Sequence, residues 1–145
     1  MGPAIPDEHH LARYCAPWTF DDDRNPTYTA FLLRAATAQK PQEEYLSAFW
    51  LEVFSGLTLE DSLADLRREV VHQAVYKPAK TGKYAVLNVG HTRGTVSRLS
   101  TDGRWLPVTV EPPPFFHAGI HDTAADEETV SKAIFDSVLN YRPAV

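Results

Sequence analysis

Residues 84–111 read YAVLNVGHTRGTVSRLSTDGRWLPVTVE, and the way this stretch folds decides the architecture. Tyr84–Val89 is rich in aromatic and β-branched residues, which fit a pleated, half-buried surface and predict a strand. Gly90-His91-Thr92-Arg93-Gly94 reads as a turn and Thr95–Leu99 as a second strand. Asp102-Gly103 is a two-residue hairpin signal, because the turn needs positive φ angles that few residues tolerate. Arg104–Glu111 then alternates, with Leu106, Val108 and Val110 on one side and Trp105, Thr109 and Glu111 on the other. Pro107 has no amide to give a ladder, so this third strand is expected either at a sheet edge or with its pairing interrupted at that position. The stretch as a whole predicts a three-strand meander.

Upstream, the pattern changes to helical. In Glu43–Phe54 the residues Tyr45, Leu46, Phe49, Trp50, Val53 and Phe54 recur at three- and four-residue intervals, with Pro41 suited to a first turn and Gly56 to a stop. A second helix opens at Thr58, whose hydroxyl caps free amides, and buries Leu59, Leu63, Leu66, Val70 and Ala74 before Lys77-Pro78. Thr27–Leu33 fits a strand, and also a helix. Residues 1–26 are rich in proline and acid and read as a mobile tip over 1–10, an extended piece at Leu11–Cys15, and a loop. Downstream, Pro112-Pro113-Pro114 makes an extended spacer. A helix from Thr123 or Asp126 to Tyr141 closes the chain, with acids in its first turn and Val130, Ala133, Ile134, Val138 and Tyr141 as its stripe. The expected fold is α+β: a single two-layer domain over residues 11–145, in which about three helices pack an antiparallel sheet made of the meander 84–111 and an N-terminal strand.

The composition suits such a domain. Of 145 residues 43% are apolar and sixteen are aromatic, enough for a real core. A single cysteine, Cys15, excludes an intrachain disulfide framework, and with no secretory signal or membrane-spanning apolar run the expectation is a cytoplasmic protein without membrane contact. Charge is uneven: residues 1–66 hold eleven acids against four Lys/Arg, 67–104 hold eight Lys/Arg against two acids, and 105–145 hold six acids against two Lys/Arg, which gives the net −5. That acidity disfavours nonspecific DNA binding by the whole molecule but leaves room for a local basic face.

Three constellations are candidates for chemistry. In Phe115-Phe116-His117-Ala118-Gly119-Ile120-His121-Asp122, two imidazoles and a carboxylate stand close in sequence. Pro114 and Gly119 argue for a loop, so His117, His121 and Asp122 form a candidate catalytic set without the helical spacing of a metal site. The basic segment 67–104 offers Lys80, Lys83, His91, Arg93 and Arg98 for a phosphate or nucleic acid, with Gly90 and Gly94 allowing close approach. It lacks the spacing of a P-loop or a dinucleotide fingerprint. The apolar segment 43–54 offers Tyr45, Phe49, Trp50 and Leu51 as an interface, and its Glu52, if buried, requires a cation such as Arg13, Arg34 or Arg67. No metal or cofactor is expected.

Leu46-Ser47-Ala48-Phe49-Trp50-Leu51-Glu52, read with Ala85–Gly90 and His117–Ile120, resembles segments of uncharacterised small bacterial proteins. The resemblance implies no activity. It implies only that 117–120 belongs to the domain proper. The function expected from the residues is that of a non-catalytic binding module or an accessory or inhibitory subunit of a bacterial complex, with another protein, a basic one among the candidates, as partner. The alternatives are a small hydrolase or nuclease built on His117 and His121, and a phosphate or nucleic-acid binder built on the basic segment.

Overall fold

The structure is a computed structural model that describes residues 2–145. Its centre is one antiparallel sheet of six strands, β1 (His10–Cys15), β2 (Leu46–Trp50), β3 (Lys83–Asn88), β4 (Val108–Val110), β5 (His117–Ile120) and β6 (Asn140–Pro143), in the spatial order β4-β5-β2-β1-β3-β6. Three α-helices complete it: α1 (Leu59–His72), α2 (Val89–Leu99) and α3 (Glu127–Asp136). This is the α+β domain expected, with its helices shared between the two faces of the sheet. One core gathers Leu11, Leu46, Ala85, Leu87, Ala118 and Ile120 beneath α2 and α3; the other gathers Ala12, Phe49, Tyr84 and Val86 beneath α1. Successive strand residues enter opposite cores, the period-two consequence of the pleat.

The stretch 84–111 does not form a meander. Tyr84–Asn88 is strand as expected, but 89–99 is helix, and Val108–Val110 lies at the far edge of the sheet. Asn88 starts the helix: its side chain accepts from the His91 amide at 2.8 Å and donates to the carbonyls of Asp7 and His9 at 3.1 and 3.2 Å. Val89, Thr92, Thr95 and Val96 are buried, a helical face carried by residues whose types suggest a strand. Gly90 is there for approach, since a Cβ would stand 3.0 Å from the Asp7 Cβ and 3.1 Å from its carbonyl oxygen.

The segment 43–54 corrects the other way. Leu46–Trp50 is a strand, followed by a single 3₁₀ turn at Leu51–Val53. A strand flanked on both sides and covered on both faces is apolar nearly throughout, so its spacing mimics a helix. Thr27–Leu33 forms no strand but a 3₁₀ turn at Tyr28–Phe31. Helix α1 runs as expected from its Thr58 cap, while α3 stops at Asp136 and the chain turns into β6. At the expected mobile tip, Ile5 is buried and its amide donates to the Val108 carbonyl at 2.9 Å, so residues 3–5 run along the outer edge of β4.

Strands β1 and β2 share only two register pairs, Leu11 with Trp50 and Ala12 with Phe49, against six between β1 and β3. Beyond Ala12 the two central strands part, and the Arg13 side chain fills the split. Its Nε donates to the Ala30 carbonyl at 2.8 Å and one terminal nitrogen to the Ser47 carbonyl at 2.6 Å. A guanidinium here replaces the ladder.

Candidate functional site

The split opens into a cleft of about 720 Å³. Its walls are mainly apolar, from Leu32, Leu33, Phe49, Val75 and the Trp18 ring, and its polar groups converge from Arg13, Ser47, Glu43 and His117. An apolar cleft with a few convergent polar groups is the usual form of a small-ligand site. Antiparallel register explains the convergence: Phe49 pairs with His117 and Ser47 with Gly119, so Ser47, Phe49 and His117 share one face of the sheet. His117 Nε2 lies 3.3 Å from Ser47 Oγ.

Arg13 stands half-buried at the wall of this cleft. Burial works against its charge and pulls its pKa below the ordinary value, while the carboxylate of Glu43 works to restore it. Glu43 is not an ion-pair partner, since its carboxylate accepts instead from the Arg34 amide at 3.0 Å. Among the described residues no acid lies within ion-pair distance of Arg13, and both of its hydrogen bonds end on neutral carbonyls. Arginine nevertheless stays protonated. The cleft wall therefore holds a half-buried positive charge with donor capacity left over.

Beside the cleft lies a polar cluster on the same face. His121 Nε2 is 2.8 Å from Glu111 Oε1, and the Thr109 hydroxyl donates to that same oxygen at 2.7 Å. The Tyr45 ring lies over both imidazoles, with centroids 4.9 Å from His121 and 5.9 Å from His117. Burial opposes ionisation of Glu111, but the bonds from Thr109 and His121 outweigh it and hold its carboxyl below the usual range. Burial likewise depresses His117, opposed by the Glu111 carboxylate and the Pro113 carbonyl, and its buried Nδ1 makes no well-formed hydrogen bond. His117 is thus neutral near pH 7.

Of the residues singled out from sequence, His117 and His121 are both brought against the Tyr45 ring, His117 on β5 and His121 just past its end. Asp122 does not join them: it is exposed, with φ of 62°, and its carboxylate faces Arg104 at 3.9 Å. The basic set is dispersed. Arg93 is tied to the Asp7 carboxylate and the Leu106 carbonyl, both at 2.7 Å, while His91 and Arg98 are exposed on α2. Lys80 and Lys83 line a different cleft. The proposed interface residues lie on and around β2: Phe49 and Leu51 are buried, Tyr45 covers the histidines, and Trp50 donates to His9 Nδ1 at 3.0 Å. Glu52 meets the His10 ring, with Nδ1 2.6 Å from its carboxylate, and not an arginine. Sequence reasoning missed Ser47, Thr109 and Glu111 as members of the site, and gave Arg13 only a salt-bridge role. Alternation along 107–111 already set Thr109 and Glu111 on one side, but nothing in the sequence set that side against His121.

Among the described residues no group of three or more His, Cys, Asp or Glu is placed to hold a metal, and no helix is long and apolar enough to cross a membrane. Compared with models of protein families, with curated proteins and with solved structures, the chain matches none.

Proposed function

We propose that this chain is a non-catalytic binding protein whose ligand is a carboxylate on an apolar body, held in the cleft at the split between β1 and β2. The observation that carries this reading is the Arg13 guanidinium, half-buried at the cleft wall without an ion-pair partner. A carboxylate supplies the missing charge and accepts charge-assisted hydrogen bonds, with Ser47 and His117 as further partners. Arg13 and Arg34 against Glu43 leave the lining a balance of +1, which suits a monoanion. The apolar body covers Leu32, Leu33 and Trp18, the last of which is 83% exposed although it lines the cleft. The test is a titration with aromatic and aliphatic carboxylic acids, read by tryptophan fluorescence and calorimetry. Acids bind and the matching primary amides bind at least about tenfold more weakly. Arg13→Lys weakens the acid by a similar factor while its melting temperature is checked in parallel. Equal affinity for acid and amide would sink the reading. The expected protein partner is accommodated if it presents such a group, as a chain terminus or an acidic side chain does.

One observation favours a second reading. Ser47 Oγ, His117 Nε2 and the Arg13 guanidinium share one cleft, with hydroxyl and imidazole 3.3 Å apart and the imidazole neutral. That is the beginning of a nucleophile–base pair, as in a hydrolase of carboxylate-bearing esters. Slow turnover of such esters that is lost in both Ser47→Ala and His117→Gln would support it, and turnover indifferent to Ser47→Ala would remove it.

A further inference from the structure

A second cleft, of about 740 Å³, lies where the 17–24 loop meets the start of β3 and the end of β6, and shares no lining residue with the first. Its walls carry Arg24, Lys80, Lys83 and Arg142, with Asp21 as the one acid among them. These cations come from three separate stretches of sequence, so the basic segment 67–104 supplies only half of them. Glu60 holds Arg142 Nε at 2.7 Å. Arg24, Lys80 and Lys83 meet no carboxylate within ion-pair distance among the described residues. Asp21 is turned to its own loop, where one carboxylate oxygen accepts the amides of Asp23 and Asn25 at 3.0 and 2.9 Å. Four cations against Asp21 and Glu60 leave a local balance of +2.

We infer that this cleft is a binding site for a phosphate monoester with an aromatic or heterocyclic body, of about nucleoside monophosphate size. The charge balance matches a dianion, which a phosphate monoester is at neutral pH and a carboxylate is not. Lysines are well suited to phosphate as mobile point charges, and the guanidinium planes of Arg24 and Arg142 add paired donors. Phe20 and Tyr141 supply flat apolar surface for the body, with the Lys83 ammonium already 5.7 Å from the Phe20 ring centroid. The inference is independent of the carboxylate cleft and survives its failure.

The experiment is calorimetry on the full chain at low ionic strength with adenosine 5′-monophosphate, phenyl phosphate, adenosine and inorganic phosphate. Both organic esters bind, with affinity that falls as salt rises, while adenosine binds at least about tenfold more weakly. Lys80→Gln with Lys83→Gln weakens both esters by about tenfold or more, and Arg13→Lys leaves them unchanged. Because Lys83 sits within a strand, Lys80→Glu in the exposed loop is the second variant, and it weakens the esters without shifting the melting temperature. The inference is overturned by equal binding of adenosine and its monophosphate, by inorganic phosphate binding as tightly as the esters, by no ester binding at all, or by Lys80→Glu leaving ester affinity intact.

Discussion

Gly119 has no room for a side chain. A Cβ there would stand 2.7 Å from Tyr45 Cδ2 and 3.0 Å from both Glu111 Cγ and His121 Nε2. The missing methyl lets the tyrosine ring settle against the histidine–glutamate pair. Gly119→Ala is expected to cost about 1–3 kcal/mol, measured by denaturant unfolding, because the cluster has to shift as a unit. His117 contributes a pH dependence of definite sign. Its folded pKa lies below the ordinary 6.5, so between those two values the unfolded chain binds a proton that the folded chain refuses. Stability contributed by this residue is complete above 6.5 and falls as the solution is acidified through that window. His117→Gln removes the dependence, so unfolding curves of the two proteins should diverge as the pH is taken below 6.5. Glu111 works lower on the scale. Its depressed carboxyl stabilises the fold above the ordinary 4.5, and that contribution is lost as pH falls through the folded value.

Helices α1 and α2 both begin on a capping side chain, but the two caps differ in what else they hold. Thr58 accepts only the Asp61 amide, at 3.1 Å, whereas Asn88 caps α2 and ties down the 7–9 turn as well. Thr58→Ala is expected to cost about 1 kcal/mol and Asn88→Ala about 2 kcal/mol or more by the same unfolding measurement. These elements also show where local pattern and tertiary context part company. Helix α1 is amphipathic with a cap, so its period is plain in Leu59, Leu63, Leu66 and Val70. Helix α2 is built of valine, threonine and glycine, poor helix formers that win because Asn88 supplies the start and the core takes Val89, Thr92 and Val96. In β2 both faces are covered, which erases the alternation that marks a strand. Strand β6 is short, polar and ends in proline, and it exists because β3 offers it an edge. The site followed the same logic. The two histidines were legible as a pair, but the register that sets them beside Ser47, Thr109, Glu111 and Tyr45 is a long-range property.

At the scale of the whole molecule, Cys15 is a reporter. It is fully buried, and burial raises its thiol to about 11 against a partial offset from Arg13. Labelling with a thiol reagent near pH 8 should be negligible in the native protein and complete in denaturant, with a rate that tracks opening of the core. Fast stoichiometric labelling of folded protein would contradict this placement. The parting of β1 from β2 also bears on how the chain reaches its fold. The line between them divides the strands into β4-β5-β2 and β1-β3-β6, and the connections β1–β2, β2–β3, β3–β4 and β5–β6 all pass from one group to the other. Only the β4–β5 hairpin closes locally. All three helices therefore act as sutures across a weakly laddered seam, and neither group can assemble before distant parts of the chain have met. Such high contact order places refolding in the milliseconds-to-seconds regime, and it leaves no half of this protein that could be cut out and expected to fold by itself.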